Sequence, residues 1–289
     1  MPAALRRRVL TLERRPMARL RTTIARVGTR RLRWAAYTIL GLTWVVLIGV
    51  MLWRGSAAGV DALAYWLGTR TWMAGGDPYV GTCPLCYAYA PWAVPLFAPW
   101  ALLPWEIAYA LWRVITVAGL AWTTIWAARR RPVLTALLFA ALSVPMGINL
   151  DTGNVTLLLV LLLWGARRIG PVAVGTAWGF ATGLKWVTAP LWLLLSANAR
   201  RAGLAALALT ALADLVLWTG TLRQVLTVAH MDRPFPFDYL VLLWAAVPWL
   251  WTDATIPRRF VVAARTRWAT LQRSRRARRT APGVWTRGG

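Results

Sequence analysis

Long apolar runs alternate with short basic clusters along the whole chain. The runs are continuous rather than alternating in polarity, so they predict helices and exclude a membrane β-barrel. The first run covers about 34–53 and follows a basic arm. Residues 60–73 predict a helix with Asp61, Tyr65 and Gly68 on one face, and GGDPY at 75–79 predicts a turn. Between 87 and 105 the chain stays apolar but holds Pro91, Pro95, Pro99 and Pro104. Those prolines forbid one regular span, so the stretch is expected to lie in the outer interface or to re-enter it. A second span is expected at about 107–127. A third is expected at about 133–148, entered on Pro132 and closed by an outer turn INLDTGN with Asn149, Asp151 and Asn154. A short run at 155–166 follows. Residues 169–199 read best as two short helices meeting near Gly183, Leu184 and Lys185. Further spans are expected at about 202–222 and 239–251, with an outer loop between them. The total is about eight membrane segments.

Composition makes this a membrane reading. Fifty-eight per cent of the residues are hydrophobic and the mean hydropathy is +0.51, too apolar for an ordinary soluble domain. The fold class is therefore all-α, a polytopic membrane protein with an outer-face loop carrying interfacial helices. It divides into a basic cytoplasmic arm (1–33), a membrane domain (34–252, with its outer loop at 54–106) and a basic cytoplasmic tail (253–289). The net charge of +25 raises nucleic-acid binding as a class. The placement argues against it. Eleven arginines fall in 1–33, ten in 258–289, and most of the rest lie in pairs or triplets between apolar runs. That is the positive-inside pattern, and it puts both termini in the cytoplasm and the 54–106 loop outside. The tails suit anionic lipid headgroups. No secretory signal peptide is read, because the first apolar run is long enough to stay in the membrane.

Nine acidic residues and a single lysine make each of them worth weighing. Asp61, at the outer mouth of a membrane domain, reads either as a capping or solvated residue or as a general base. Tyr65 and Trp66 beside it would offer stacking faces to a sugar. Asp77 begins an Asp-Pro turn, Asp151 and Asn154 are expected to cap the next helix, and Asp214 needs an interior partner. Lys185 reads equally as a snorkelling helix-end lysine or as a phosphate-binding cation. His230 lies in the late outer loop with Asp232, Arg233 and Asp238. It is either solvated or a phosphate or acceptor ligand. Cys83 and Cys86 form CPLC, which lacks the fold for a redox motif and the ligands for zinc. They read as a local disulfide or as two free thiols.

The pattern D-x3-Y-x9-G-G-D-P-Y (Asp61, Tyr65, Gly75, Gly76, Asp77, Pro78, Tyr79) follows a first span. It is succeeded in order by YAYAPWAVPLFAPWALLP, GNVTLLLVLLL and GFATGLKWVTAPLWLLL. Over about residues 35–222 this resembles the glycosyltransferase C superfamily and, within it, family 87, the polyprenol-phosphate-mannose-dependent mannosyltransferases. The resemblance implies an inverting membrane glycosyltransferase. Its donor would be a polyprenyl-phosphate sugar, mannose by default, and its acceptor a glycolipid or glycan on the outer face. It places the catalytic base at Asp61 and substrate contacts at Tyr65, Asp77, Tyr79, Lys185, His230 and Arg233, with Arg70 a further candidate for the leaving phosphate. It implies no cofactor and no metal, since cationic side chains can neutralise the phosphate. Relatives run on for several more spans, so a shortened enzyme, one half of a two-chain enzyme with a partner membrane chain, and a non-catalytic scaffold are all carried. A lipid-linked sugar transporter or flippase is the rival from another class. It would be expected to show inverted repeats, which the sequence lacks.

Overall fold

The computed structural model describes residues 3–55, 58–79, 87, 89–217 and 236–252, and those residues contain no β-strand. The helices are α1 (Ala3–Arg54), α2 (Val60–Met73), α3 (Ala98–Ala101), α4 (Trp105–Arg130), α5 (Pro132–Ala141), α6 (Ser143–Thr152), α7 (Val155–Ile169), α8 (Pro171–Leu184), α9 (Ala197–Leu217) and α10 (Pro236–Thr252). Two 3₁₀ segments, Pro91–Phe97 and Trp186–Leu194, complete the set. The all-helical expectation holds. By length and composition, Thr29–Arg54 and Trp105–Arg130 can each cross a membrane, and α5 with α6 makes a third span if the bent pair is counted as one.

The ends of α2 fall where the sequence put them, at Val60 and Met73. The proline-rich stretch forms a 3₁₀ segment and one short helix rather than a span. The third run differs from expectation. It is broken into α5 and α6 with a bend of 59°. Pro145, in the first turn of α6, has no N–H to give to the carbonyl four residues back, so the ladder opens at Leu142. Ser143 Oγ donates to the Ala140 carbonyl at 2.7 Å and satisfies part of the gap. The expected outer turn is also shorter than INLDTGN. Asn149 and Asp151 are still helical, and the chain turns only at Gly153 and Asn154. Gly153 has φ 69°, and a Cβ there would lie 2.6 Å from Ala62 Cβ, so the turn needs glycine twice over.

Contacts along the helices give several elements a relative direction. Arg54 pairs with Asp151, Gly147 faces Leu47 and Trp44 stacks on Phe139, so α1 runs parallel to α5 and α6. Helices α8 and α9 also run parallel. Positions for a Cβ on Gly175, Gly179 and Gly183 collide in turn with Ala199, Gly203 and Thr210. The 3₁₀ segment after Lys185 therefore runs back between them, and the break in 169–199 falls at Lys185, in extended backbone. The guanidinium of Arg167 lies over Trp249, that of Arg168 over Trp122, and that of Arg131 over Trp251. Arg129–131, Arg167–168 and Arg200–201 consequently gather at one end of the bundle. Arg54, α2, the start of α7 and the end of α8 gather at the other.

The core between the ends is aromatic and apolar. Trp164 stacks on Trp244 and donates its indole N–H to the Trp244 carbonyl at 2.9 Å. The Trp244 N–H in turn reaches Thr123 Oγ1 at 3.0 Å. These two indoles anchor the bundle core with their buried N–H groups satisfied.

Candidate functional site

The end opposite the arginine pairs is built on α2. Its first turn carries Asp61, half buried. Asn154, the N-cap of α7, donates Nδ2–H to Asp61 Oδ2 at 2.9 Å. The amide oxygen of Asn154 accepts from Thr156 N–H at 2.9 Å, from Thr156 Oγ1–H at 2.7 Å, and from Lys185 Nζ at 3.3 Å. Lys185 is buried, with 4% of its surface exposed, and its ammonium also lies 5.7 Å from the Tyr89 ring centroid. Two candidates read separately from sequence, Asp61 and Lys185, are thus joined through one amide. Among the described residues nothing hydrogen-bonds Asp61 Oδ1, so that oxygen is available to a hydroxyl.

Behind Asp61 lies a cluster of rings. Tyr65 is buried, edge-on to Tyr89 and stacked on Phe97, with Trp112 beside it. Its hydroxyl meets the Tyr89 hydroxyl at 2.9 Å and accepts from the Val155 N–H at 3.3 Å. Tyr65 therefore offers no open face to a sugar here. It supports α2 from below, while Trp66, half exposed, donates to the Leu103 carbonyl. Burial first, then the neighbouring Tyr89 and Asp61, holds the Tyr65 phenol well above its ordinary pKa. Tyr79 and Tyr87 are raised likewise, burial again first. These phenols stay protonated, so among the described residues the carboxylates are the candidate bases.

Asp77 accepts from Tyr79 N–H at 2.9 Å, the geometry of an Asp-initiated turn, and Tyr79 donates its hydroxyl to the Tyr89 carbonyl at 2.7 Å. Arg70 lies over Trp66 on the surface of α2. Asp151 does not cap α7. It pairs with Arg54 at 3.1 Å, and its carbonyl accepts from Gly59 N–H and from the Tyr109 hydroxyl. Asp214, for which the sequence suggested no partner, accepts from the Trp92 N–H at 2.9 Å. His230, Arg233, Asp232, Cys83, Cys86 and the basic tail lie outside the described residues, as does the side chain of Asp238. A groove of about 310 Å³ runs between α1 and α6 below the Arg54–Asp151 pair, lined by Leu47, Val50, Gly147 and Ile148 among others. Among the described residues no three potential metal ligands of the His, Cys, Asp or Glu type come together.

Sequence reasoning missed the partnership of Asn154 with Asp61. The signal available was the polar GN doublet at the mouth of an apolar helix, read only as a cap. Nothing in the sequence indicated that α2 would dock against it.

The fold and the site define a class: an all-helical protein with membrane-length helices and a carboxylate site at the end away from its arginine pairs. Comparison with known families bears on part of the chain. Residues 87–224 match the model of glycosyltransferase family 87, so the resemblance drawn from the motifs is borne out over that stretch. Asn154, Lys185 and Asp214 fall inside the matched stretch, and Asp61 lies before it. No curated protein and no solved structure matches the chain.

Proposed function

We propose that this chain is an integral-membrane, inverting glycosyltransferase with Asp61 as its general base. The observation that carries the reading is the carboxylate at the mouth of a family 87 stretch, one oxygen held by Asn154 and the other without a hydrogen bond among the described residues. An acceptor hydroxyl gives its proton to Asp61 Oδ1 as its oxygen attacks the anomeric carbon. The bond to the phosphate breaks on the opposite face, and the sugar's configuration inverts. The donor in this reading is a polyprenyl-phosphate sugar, with mannose the first sugar to test, and the acceptor is a glycolipid or glycan. The leaving phosphate carries the negative charge away, and cationic side chains at this end of the bundle are the groups that would offset it. In this reading the eight apolar segments cross or enter the membrane, the arginine end faces the cytoplasm, and the Asp61 end faces outward.

The test is sugar transfer in purified membranes supplied with radiolabelled polyprenyl-phosphate mannose. Wild type should transfer label. Asp61→Asn, which keeps the shape and removes the base, should lose about 10²–10⁴-fold in rate. Equal transfer by both would remove Asp61 from the chemistry.

A further inference from the structure

A helix N-cap needs one side-chain oxygen and one backbone N–H. Asn154 does more than that. Its Oδ1 takes two donors from Thr156 and a third from Lys185. Those three donors fix which end of the amide is oxygen, an assignment otherwise ambiguous. The Nδ2 must then point at Asp61, and it does so at 2.9 Å. Resting on the reading of Asp61 as a base, we infer that Asn154 is a positioning residue that presents Asp61 and carries to it the charge of buried Lys185.

The physical argument has two parts. First, a hydrogen bond donated to a carboxylate favours its ionised form, and ionised is the form a base must have before it accepts a proton. Second, an ammonium on the amide oxygen polarises the amide and strengthens the bond its N–H donates on the far side. Lys185 then need not touch substrate to matter: enclosed behind Asn154, it acts through two hydrogen bonds. The other charged or titratable groups around Asp61 do not substitute for it. On α2 itself the neighbour is Tyr65, and beyond it Tyr89, both uncharged while protonated. From α1 and α6 come Arg54 and Asp151, paired with each other. From α4 come Tyr109 and Arg113, whose guanidinium lies over the Tyr109 ring at 4.4 Å.

The experiment reads Asp61 directly. The protein is labelled with ¹³C at the aspartate side-chain carboxyl and purified in detergent, and its carboxylate stretching bands are recorded by infrared spectroscopy. The Asp61 band is identified as the one missing in Asp61→Asn. Asn154→Ser keeps a helix-capping oxygen but cannot reach Asp61. Lys185→Met keeps the apolar stem and removes the charge. Both should shift the antisymmetric carboxylate stretch of Asp61, because the hydrogen bond on its Oδ2 is lost or weakened, with Lys185→Arg falling between Lys185→Met and wild type. In sugar transfer both variants should lower kcat more than they change KM. An unshifted band in either Asn154→Ser or Lys185→Met overturns the relay, because a plain cap or a plain buried lysine would leave Asp61 unmoved. The infrared readout needs no turnover. If the band moves but wild type transfers no sugar, the relay stands and the glycosyltransferase reading falls.

Discussion

At the scale of single residues, the site end depends on one glycine as much as on its acid. Gly153 sits at positive φ with its missing Cβ pressed toward Ala62, the residue after Asp61. Gly153→Val would strain the backbone and push α2 away from the start of α7. The cost should be about 1–3 kcal/mol in stability, measured as a lowered thermal midpoint in detergent. The same change should lengthen the Asn154–Asp61 contact, so transfer should fall further than stability explains. The acid itself was legible from the sequence, because an aspartate at the mouth of an apolar run is conspicuous. Its partner was not. The contact joins residues 93 positions apart, and no local spacing encodes it.

At the scale of elements, the pairing of α8 with α9 rests on small residues. Gly175, Gly179 and Gly183 lie four apart on one face of α8 and let its backbone approach Ala199, Gly203 and Thr210. Packing of this kind draws on close van der Waals contact, which lipid cannot replace. Gly179→Leu should separate the two helices and lower the thermal midpoint sharply, whereas Gly165→Ala, with nothing within 4 Å of its Cβ, should leave it unchanged or raise it slightly. Helix boundaries such as Val60–Met73, and the break at Lys185, were readable because glycine, proline and polarity change mark them in place. The bend between α5 and α6 was not read, although Pro145 stood in the sequence. Seen alone, a proline near the middle of an apolar run is equally consistent with a tolerated kink and a full break, and packing against α1 decides between them.

At the scale of the whole molecule, directions of packing separate two ends. Arginine clusters from three different connections meet at one, and Asp61, Lys185 and the tyrosine cluster meet at the other. The proposed topology makes this separation a membrane asymmetry. With Cys83 and Cys86 replaced by serine, single cysteines at Arg130, Arg168 and Arg200 should all be labelled by an impermeant reagent from the same face. A cysteine at Arg70 should be labelled from the opposite face. Labelling of position 200 together with position 70 would overturn the hairpin in 169–199.

Composition and order along the chain determined the class. Apolar runs must become helices where backbone groups have no water to bind, and basic clusters between them are the signal on which the proposed orientation rests. Those are one-dimensional facts, fully present in the sequence. What tertiary structure alone decided is the company each polar side chain keeps: Asp214 with the Trp92 backbone, Asp151 with Arg54, and Asp61 with Lys185 by way of Asn154. A buried polar group must be satisfied, but the requirement does not say by which partner. Only the docking of α2 onto the α6–α7 turn and the return of the chain at Lys185 select it.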